Sequence, residues 1–94
     1  MIVFHLPHSI QLYQNYPNPF NPFTTIQFEN SEDAFISLEI YNSVGEKVAT
    51  LFNNVVEAGI HTIKFDSSEI ASGIYIYKIV SGKYSESKKM VLLK

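Results

Sequence analysis

The segment Ile74-Tyr75-Ile76-Tyr77-Lys78-Ile79-Val80 decides the fold, because it consists almost entirely of β-branched and aromatic residues. Such side chains favour the pleated surface of a β-sheet over a helix. The segment is therefore predicted to be a strand, for which burial on both faces is the simplest interpretation. Lys78, however, lies on the face that carries Ile74 and Ile76, so this face is also a candidate apolar docking patch that approaches solvent.

The same alternation of apolar and polar residues recurs on both sides of this segment. It predicts strands at residues 24–29, 36–41, 47–52, 60–65 and 84–93, with a further strand around residues 9–13. Residues 53–59 are predicted to form a loop, and residues 66–73 a polar connection with room for one helical turn capped by Asp66 or Ser67. About seven short strands with regularly spaced turns indicate an all-β, immunoglobulin-like antiparallel sandwich. Glycines are expected at its turns, namely Gly45, Gly59, Gly73 and Gly82.

Composition limits what such a domain can do. The chain has 94 residues, of which 46% are hydrophobic, which suffices for one modest core and excludes both a second domain and intrinsic disorder. It contains no Arg, and its 7 Lys are outweighed by 9 acidic residues, giving a net charge of −2. Nucleic-acid binding is not expected, because no basic stripe could neutralise phosphates.

Cysteine usage and hydropathy exclude further classes. The absence of Cys rules out disulfides, thiolate metal sites and cysteine catalysis. No apolar run approaches the roughly 20 residues that span a bilayer, so no membrane insertion is expected. The start of the chain lacks the basic and apolar regions of a secretory signal, and Pro7 interrupts it early. These features fit either a cytoplasmic protein or a piece of a longer exported protein.

Catalytic and metal sites find little support in the sequence. Zinc would need a closed tetrahedral set, and the three histidines lack a fourth ligand. The acidic residues form no recognisable calcium loop, and the serines lack a nucleophile elbow. The residues weighed in these interpretations are His5, His8, His61, Glu29, Glu32, Asp33, Asp66 and Glu69. The sequence therefore predicts a protein that is not an enzyme and needs no cofactor or metal.

One stretch differs in composition from the rest of the chain and holds three of the four prolines. It comprises Asn15, Tyr16, Pro17, Asn18, Pro19, Phe20, Asn21 and Pro22. Proline fixes its own φ, removes a donor and keeps the preceding residue extended, so this run is predicted to be a rigid loop. Asparagines can hydrogen-bond nearby backbone in such a loop, and Tyr16, Phe20 and Phe23 are candidate anchors at the end of the sandwich.

This proline-rich run, followed by Thr24 and Ile26, resembles the type A C-terminal sorting domain of the type IX (Por) secretion system. The resemblance continues in order through four later segments: Ile40-Tyr41-Asn42-Ser43-Val44-Gly45-Glu46-Lys47-Val48, Ala58-Gly59-Ile60-His61, Ala71-Ser72-Gly73-Ile74-Tyr75-Ile76-Tyr77-Lys78 and Lys88-Lys89-Met90-Val91-Leu92-Leu93-Lys94. It implies a sorting domain over residues 10–94, with residues 1–9 as a linker remnant or an added segment. The sequence departs from the family at Phe28-Glu29-Asn30-Ser31, which lacks a common Leu-Pro.

The resemblance implies a non-catalytic signal that directs a covalently linked upstream cargo through the outer membrane. Its implied partners are the outer-membrane translocon and a sortase-like peptidase, and its implied route runs through the periplasm to the cell surface or medium. The implied recognition residues are Lys89, Met90, Val91, Leu92, Leu93 and Lys94. The isolated domain is expected to be a monomer.

Two other functions remain open for the same fold. A similar sandwich occurs in flagellar hook-capping proteins, and such domains also serve as structural or adhesive modules. A carbohydrate-binding module would show exposed aromatic side chains on one sheet face. The candidates for that role are Tyr13, Tyr41, Tyr75, Tyr77 and Tyr84.

Overall fold

The computed structural model describes residues 9–94, which form seven strands and no helix. The strands are β1 (Ile10–Leu12), β2 (Phe23–Asn30), β3 (Ala34–Asn42), β4 (Lys47–Val56), β5 (Gly59–Asp66), β6 (Gly73–Ser81) and β7 (Tyr84–Leu92). Every pairing between them is antiparallel. The prediction of an all-β antiparallel sandwich is confirmed.

The strands are divided between two sheets. One sheet has three strands in the order β1-β2-β5, and the other has four in the order β4-β3-β6-β7. β3 and β6 are the inner strands of the larger sheet, whereas β4 and β7 are its edges. The strand predicted from residues 74–80 is thus β6, an inner strand with the β-branched and aromatic composition that such positions favour.

The core lies between the inner faces of the two sheets. Alternate residues of β2, β3 and β6 point inward, as the period of two requires. The buried apolar side chains are Ile10, Leu12, Phe20, Ile26, Phe28, Ile36, Leu38, Ile40, Val56, Phe65, Tyr75, Tyr77, Ile79, Met90 and Leu92. Both ends of the described chain therefore contribute to one core.

The structure differs from the prediction at two connections. β4 continues to Val56, so most of the predicted loop at residues 53–59 is strand. Its asparagines were misleading, because an edge strand tolerates polar residues, and Asn53 and Asn54 pair with Ser37 and Ile36. Residues 66–73 contain no helix. Instead, the Ile70 N–H donates to the Ser67 carbonyl at 3.1 Å in a single turn.

The turn between β3 and β4 shows why glycine is needed there. Gly45 has a φ of +87°, in the left-handed region that disfavours other residues. Asn42 closes the turn, because its Oδ1 accepts hydrogen bonds from the N–H groups of Val44 at 3.1 Å and Glu46 at 2.9 Å. The other turn glycines have φ values of +137° at Gly59, +158° at Gly73 and +58° at Gly82.

The segment predicted to precede the domain, residues 1–9, lies outside the described residues except for Ser9. Within residues 9–94, no helix is long and apolar enough to cross a membrane.

Candidate recognition surface

The last strand and the two residues after it carry the residues proposed for partner recognition, and the fold divides them between core and solvent. Met90 and Leu92 are completely buried, whereas Leu93 is 57% exposed. Val91 is partly buried, and the flanking Lys89 and Lys94 are exposed. Since successive side chains of a strand point to opposite faces, Lys89, Val91 and Leu93 share the outer face of the four-stranded sheet.

A neighbouring strand extends this outer face. Ile74 of β6 pairs with Val91 of β7, and its side chain is 48% exposed. Lys78 lies on the same face and is partly buried, together with Ile76. We define the terminal surface as Ile74, Lys89, Val91, Leu93 and Lys94. It combines a small exposed apolar area with two lysine side chains and no acidic side chain.

The edge of β7 that pairs with no other strand is covered near its end by the proline-rich loop. The Phe20 N–H donates to the Val91 carbonyl, and the Leu93 N–H donates to the Phe20 carbonyl, both at 3.0 Å, in a parallel bridge. Asn18 Oδ1 accepts from the Val91 N–H at 2.9 Å, and Gln14 Nε2 donates to the Lys89 carbonyl at 2.7 Å. The loop thereby satisfies edge groups that would otherwise be open to another strand.

A buried polar network holds the beginning of the loop in place. The Asn15 N–H donates to the Tyr77 hydroxyl at 2.8 Å, and this hydroxyl donates to the Tyr13 carbonyl at 2.7 Å. Asn15 Nδ2 donates to Thr24 Oγ1 at 3.0 Å and to the Pro17 carbonyl at 3.1 Å. Burial raises the pKa of Tyr77 to about 12, so the phenol stays protonated and remains a donor in moderately alkaline solution as well as at neutral pH.

The aromatic residues of the loop differ in their surroundings. Phe20 is buried at the end of the sandwich, with its ring centroid 6.1 Å from that of Phe65. Phe23 is partly exposed beneath Lys64, whose Nζ lies 4.1 Å from the ring centroid, and Tyr16 faces solvent. Of the three expected anchors, only Phe20 fills the core. The Tyr16-Pro17, Asn18-Pro19 and Asn21-Pro22 peptide bonds are cis.

Lys94 lies against the connection between β5 and β6. Its N–H donates to Ser72 Oγ at 2.9 Å, and its Nζ donates to the Ser68 carbonyl at 3.0 Å. Nearby, the Ser68 hydroxyl and N–H donate to Asp66, and these bonds hold the pKa of the Asp66 carboxyl below its usual value. Lys64 and Lys94 contribute to this lowering through their charge.

The side chains considered for catalysis or metal binding have structural partners. His61 Nε2 lies 2.7 Å from the Glu57 carbonyl, and the imidazole stacks on Phe28. Asp33 Oδ1 accepts from the Ala58 N–H at 2.9 Å. Among residues 9–94, no group of three or more His, Asp or Glu residues could hold a metal ion. His5 and His8 lie outside the described residues.

The contacts of Gln14 and Asn18 with β7 were missed by the sequence interpretation. An asparagine before a proline indicates a local hydrogen bond to a turn, whereas Asn18 bonds to a residue 73 positions away. No local signal specifies such a partner. Two of the tyrosines proposed for glycan contact, Tyr75 and Tyr77, lie in the core and are not exposed on a sheet face.

The comparisons with known proteins agree with the architecture and with the sequence motifs. A family model described as "Secretion system C-terminal sorting domain" matches residues 14–93, which include the proline-rich loop and nearly all of the terminal surface. A search of curated proteins found no match. Because the model covers most of the chain, it shows that the chain belongs to the family of C-terminal sorting domains, the sorting signals of the type IX secretion system that mark proteins for export to the cell surface or extracellular space.

Proposed function

We propose that the chain acts without catalysis, as a folded address that the outer-membrane translocon of the type IX system recognises through the terminal surface. The observation that carries this proposal is that the side chains at the end of the chain alternate between the core and the solvent. Met90 and Leu92 hold the strand in the core, and the loop covers its edge. The outward side chains Lys89 and Leu93 remain exposed for a partner.

The proposed route begins in the periplasm, where the folded domain, a monomer covalently linked to its upstream cargo, meets the translocon. A sortase-like peptidase then acts on the exported chain. The chemistry of the terminal surface suits an acidic partner surface with an apolar centre, because the exposed Lys89 and Lys94 precede and follow Val91 and Leu93 in the chain. The match to a family of sorting signals, and the structural roles of Asp33 and His61, support a non-catalytic role.

The experiment uses a reporter protein fused to this chain in a bacterium that has the type IX machinery. Lys89→Glu combined with Lys94→Glu reverses the charge of the terminal surface. The matched control combines Lys64→Glu with Lys83→Glu, which makes the same change in net charge at exposed positions elsewhere. We expect the terminal variant to accumulate in the periplasm, and the control variant to reach the cell surface like the parent.

Folding must be measured beside export, because an unfolded domain would also fail to be recognised. Both variants are expected to melt like the parent, since surface substitutions usually change stability by less than about 0.5 kcal/mol. Deletion of residues 89–94 is a poorer test, because it removes Met90 and Leu92 from the core. Surface display of a stably folded terminal variant at the parental level would overturn the proposal.

A further inference from the structure

A shallow concavity of about 480 Å³ lies at the outer face of the three-stranded sheet. Its walls are formed by Tyr13, Gln14, Tyr16, Thr25 and Gln27, and we refer to it as the tyrosine trough. Tyr16 is 82% exposed and Tyr13 is 37% exposed. Neither ring contributes to the core, so the stability of the fold does not explain their presence at this site.

The backbone beneath these tyrosines is firmly held. Tyr16 and Thr25 exchange two backbone hydrogen bonds, of 3.0 and 2.9 Å, and the Tyr13 N–H donates to the Gln27 carbonyl at 3.0 Å. Between the two tyrosines, Asn15 is buried in its network with Tyr77 and Thr24. Aromatic side chains on an ordered backbone bind ligands with a small loss of conformational entropy, because few torsions have to be fixed.

The trough presents hydrogen-bonding groups that the fold leaves free. Four side-chain groups of the trough form no hydrogen bond within residues 9–94. They are the hydroxyls of Tyr13, Tyr16 and Thr25 and the side-chain amide of Gln27. Gln14 uses its Nε2 to bind Asn15 Oδ1 and the Lys89 carbonyl, which leaves its Oε1 as an acceptor. None of the five lining residues is charged.

We propose that the tyrosine trough binds a neutral saccharide. A pyranose ring has an apolar C–H face that can lie on an exposed tyrosine, and hydroxyls that can both donate and accept hydrogen bonds. The Oε1 of Gln14 requires a donor, and a sugar hydroxyl supplies one. A proline-rich peptide fits less well, because each proline lacks an N–H and offers only a carbonyl acceptor.

The test is a titration of the ¹⁵N-labelled chain, followed by amide chemical shifts, with cellopentaose, mannopentaose, laminaripentaose and chitopentaose as separate probes. We expect at least one of them to shift the amides of Tyr13, Gln14, Tyr16, Thr25 and Gln27 in a saturable manner. Tyr16→Ala is expected to lower the association constant at least about tenfold, which corresponds to about 1.4 kcal/mol.

Ile60→Ala serves as the control, because Ile60 is 63% exposed on the outer face of the same sheet and does not line the trough. This variant is expected to bind like the parent, and both variants are expected to melt like it. The proposal is overturned if no oligosaccharide shifts the trough amides, or if the folded Tyr16→Ala variant binds as tightly as the parent. It is likewise overturned if a proline-rich decapeptide shifts these amides and none of the sugars does.

Discussion

The hydroxyl of Tyr77 joins the proline-rich loop to the core of the sandwich. It accepts a hydrogen bond from the Asn15 N–H and donates one to the Tyr13 carbonyl, so it satisfies two backbone groups that flank Gln14. Both Tyr77 and Asn15 are buried, and water therefore cannot readily replace the hydroxyl. The position of the loop thus depends on an oxygen supplied by a distant strand.

Replacing Tyr77 by Phe removes this oxygen and leaves the ring in place. We expect a loss of stability of about 1–3 kcal/mol, because a buried N–H and a carbonyl lose their partner. The midpoint of urea unfolding measures this change. Tyr41→Phe is the matched control, since the Tyr41 hydroxyl makes only a 3.3 Å bond to Glu39 and is partly exposed. Equal midpoints for the two variants would show that the hydroxyl does not hold the loop.

The same hydroxyl makes stability depend on alkaline pH. The folded pKa of Tyr77 is raised to about 12, whereas the unfolded value is near the ordinary 10. The contribution to stability is therefore complete below pH 10 and is lost as pH rises toward 12. Urea midpoints measured across this window should fall more steeply for the parent than for Tyr77→Phe. Parallel curves would contradict the assignment. The raised pKa of Tyr84, due first to burial, is common to both proteins and cancels in the comparison.

At the scale of elements, β7 combines an inner face that is buried at Met90 and Leu92 with an outer face that is exposed at Lys89. Met90→Ala is expected to destabilise the domain by about 2–5 kcal/mol, because it opens a cavity in the core. Leu93→Ala, at an exposed position, is expected to change stability by less than about 0.5 kcal/mol. Thermal or urea unfolding distinguishes the two. A costly Leu93→Ala would place that side chain in the core and remove it from the terminal surface.

The cover on the edge of β7 predicts a pattern of amide exchange. Val91 and Leu93 donate to the loop, so their amides are expected to exchange slowly with solvent. Ser85 and Ser87 occupy the same edge at alternating positions beyond the loop, and their amides should exchange faster. Hydrogen exchange followed by NMR compares the two pairs directly. Fast exchange at Val91 and Leu93 would indicate that the loop does not cover this edge in solution.

The sequence predicts these elements to different extents. Alternation located β3 and β6, because each has one face in the core and repeats with a period of two. It failed at residues 53–56 of β4, because this edge strand carries an extra residue, Leu51, between the partners of Leu38 and Glu39 and does not keep that period. The prolines indicated a rigid loop. Its partner strand was not predictable, because the pairing of Phe20 with β7 depends on the assembled fold.

The candidate recognition surface was likewise predictable from the sequence only in part. The resemblance proposed the terminal residues as recognition residues, and alternation indicated that the face of β6 carrying Ile74 and Ile76 would approach solvent. The buried roles of Met90 and Leu92 became clear only with the register of β7 against β6. Of the residues of the tyrosine trough, only Tyr13 was named from the sequence as a candidate for glycan contact. The trough itself was not predicted, because Tyr13 and Tyr16 meet Thr25 and Gln27 only when β2 lies beside them.

At the scale of the whole molecule, one core joins both sheets, the proline-rich loop and the last strand. We expect cooperative unfolding, with the same midpoint by far-ultraviolet circular dichroism and by tyrosine fluorescence. Adding EDTA should leave this midpoint unchanged, because no metal-ligand cluster occurs within residues 9–94. A helical dichroism spectrum, separate midpoints or a loss of stability with EDTA would contradict this prediction.

The pairing of the loop with β7 also determines at what stage of folding the terminal surface is complete. Gln14 and Asn18 meet Lys89 and Val91 across 75 and 73 positions of sequence, so the edge is sealed only after nearly the whole domain has been assembled. A chain cut short during synthesis, or nicked between these segments and unfolded, presents a different surface. Under the proposed function, a translocon that recognises the terminal surface would thereby distinguish a fully folded sorting domain from an incomplete one.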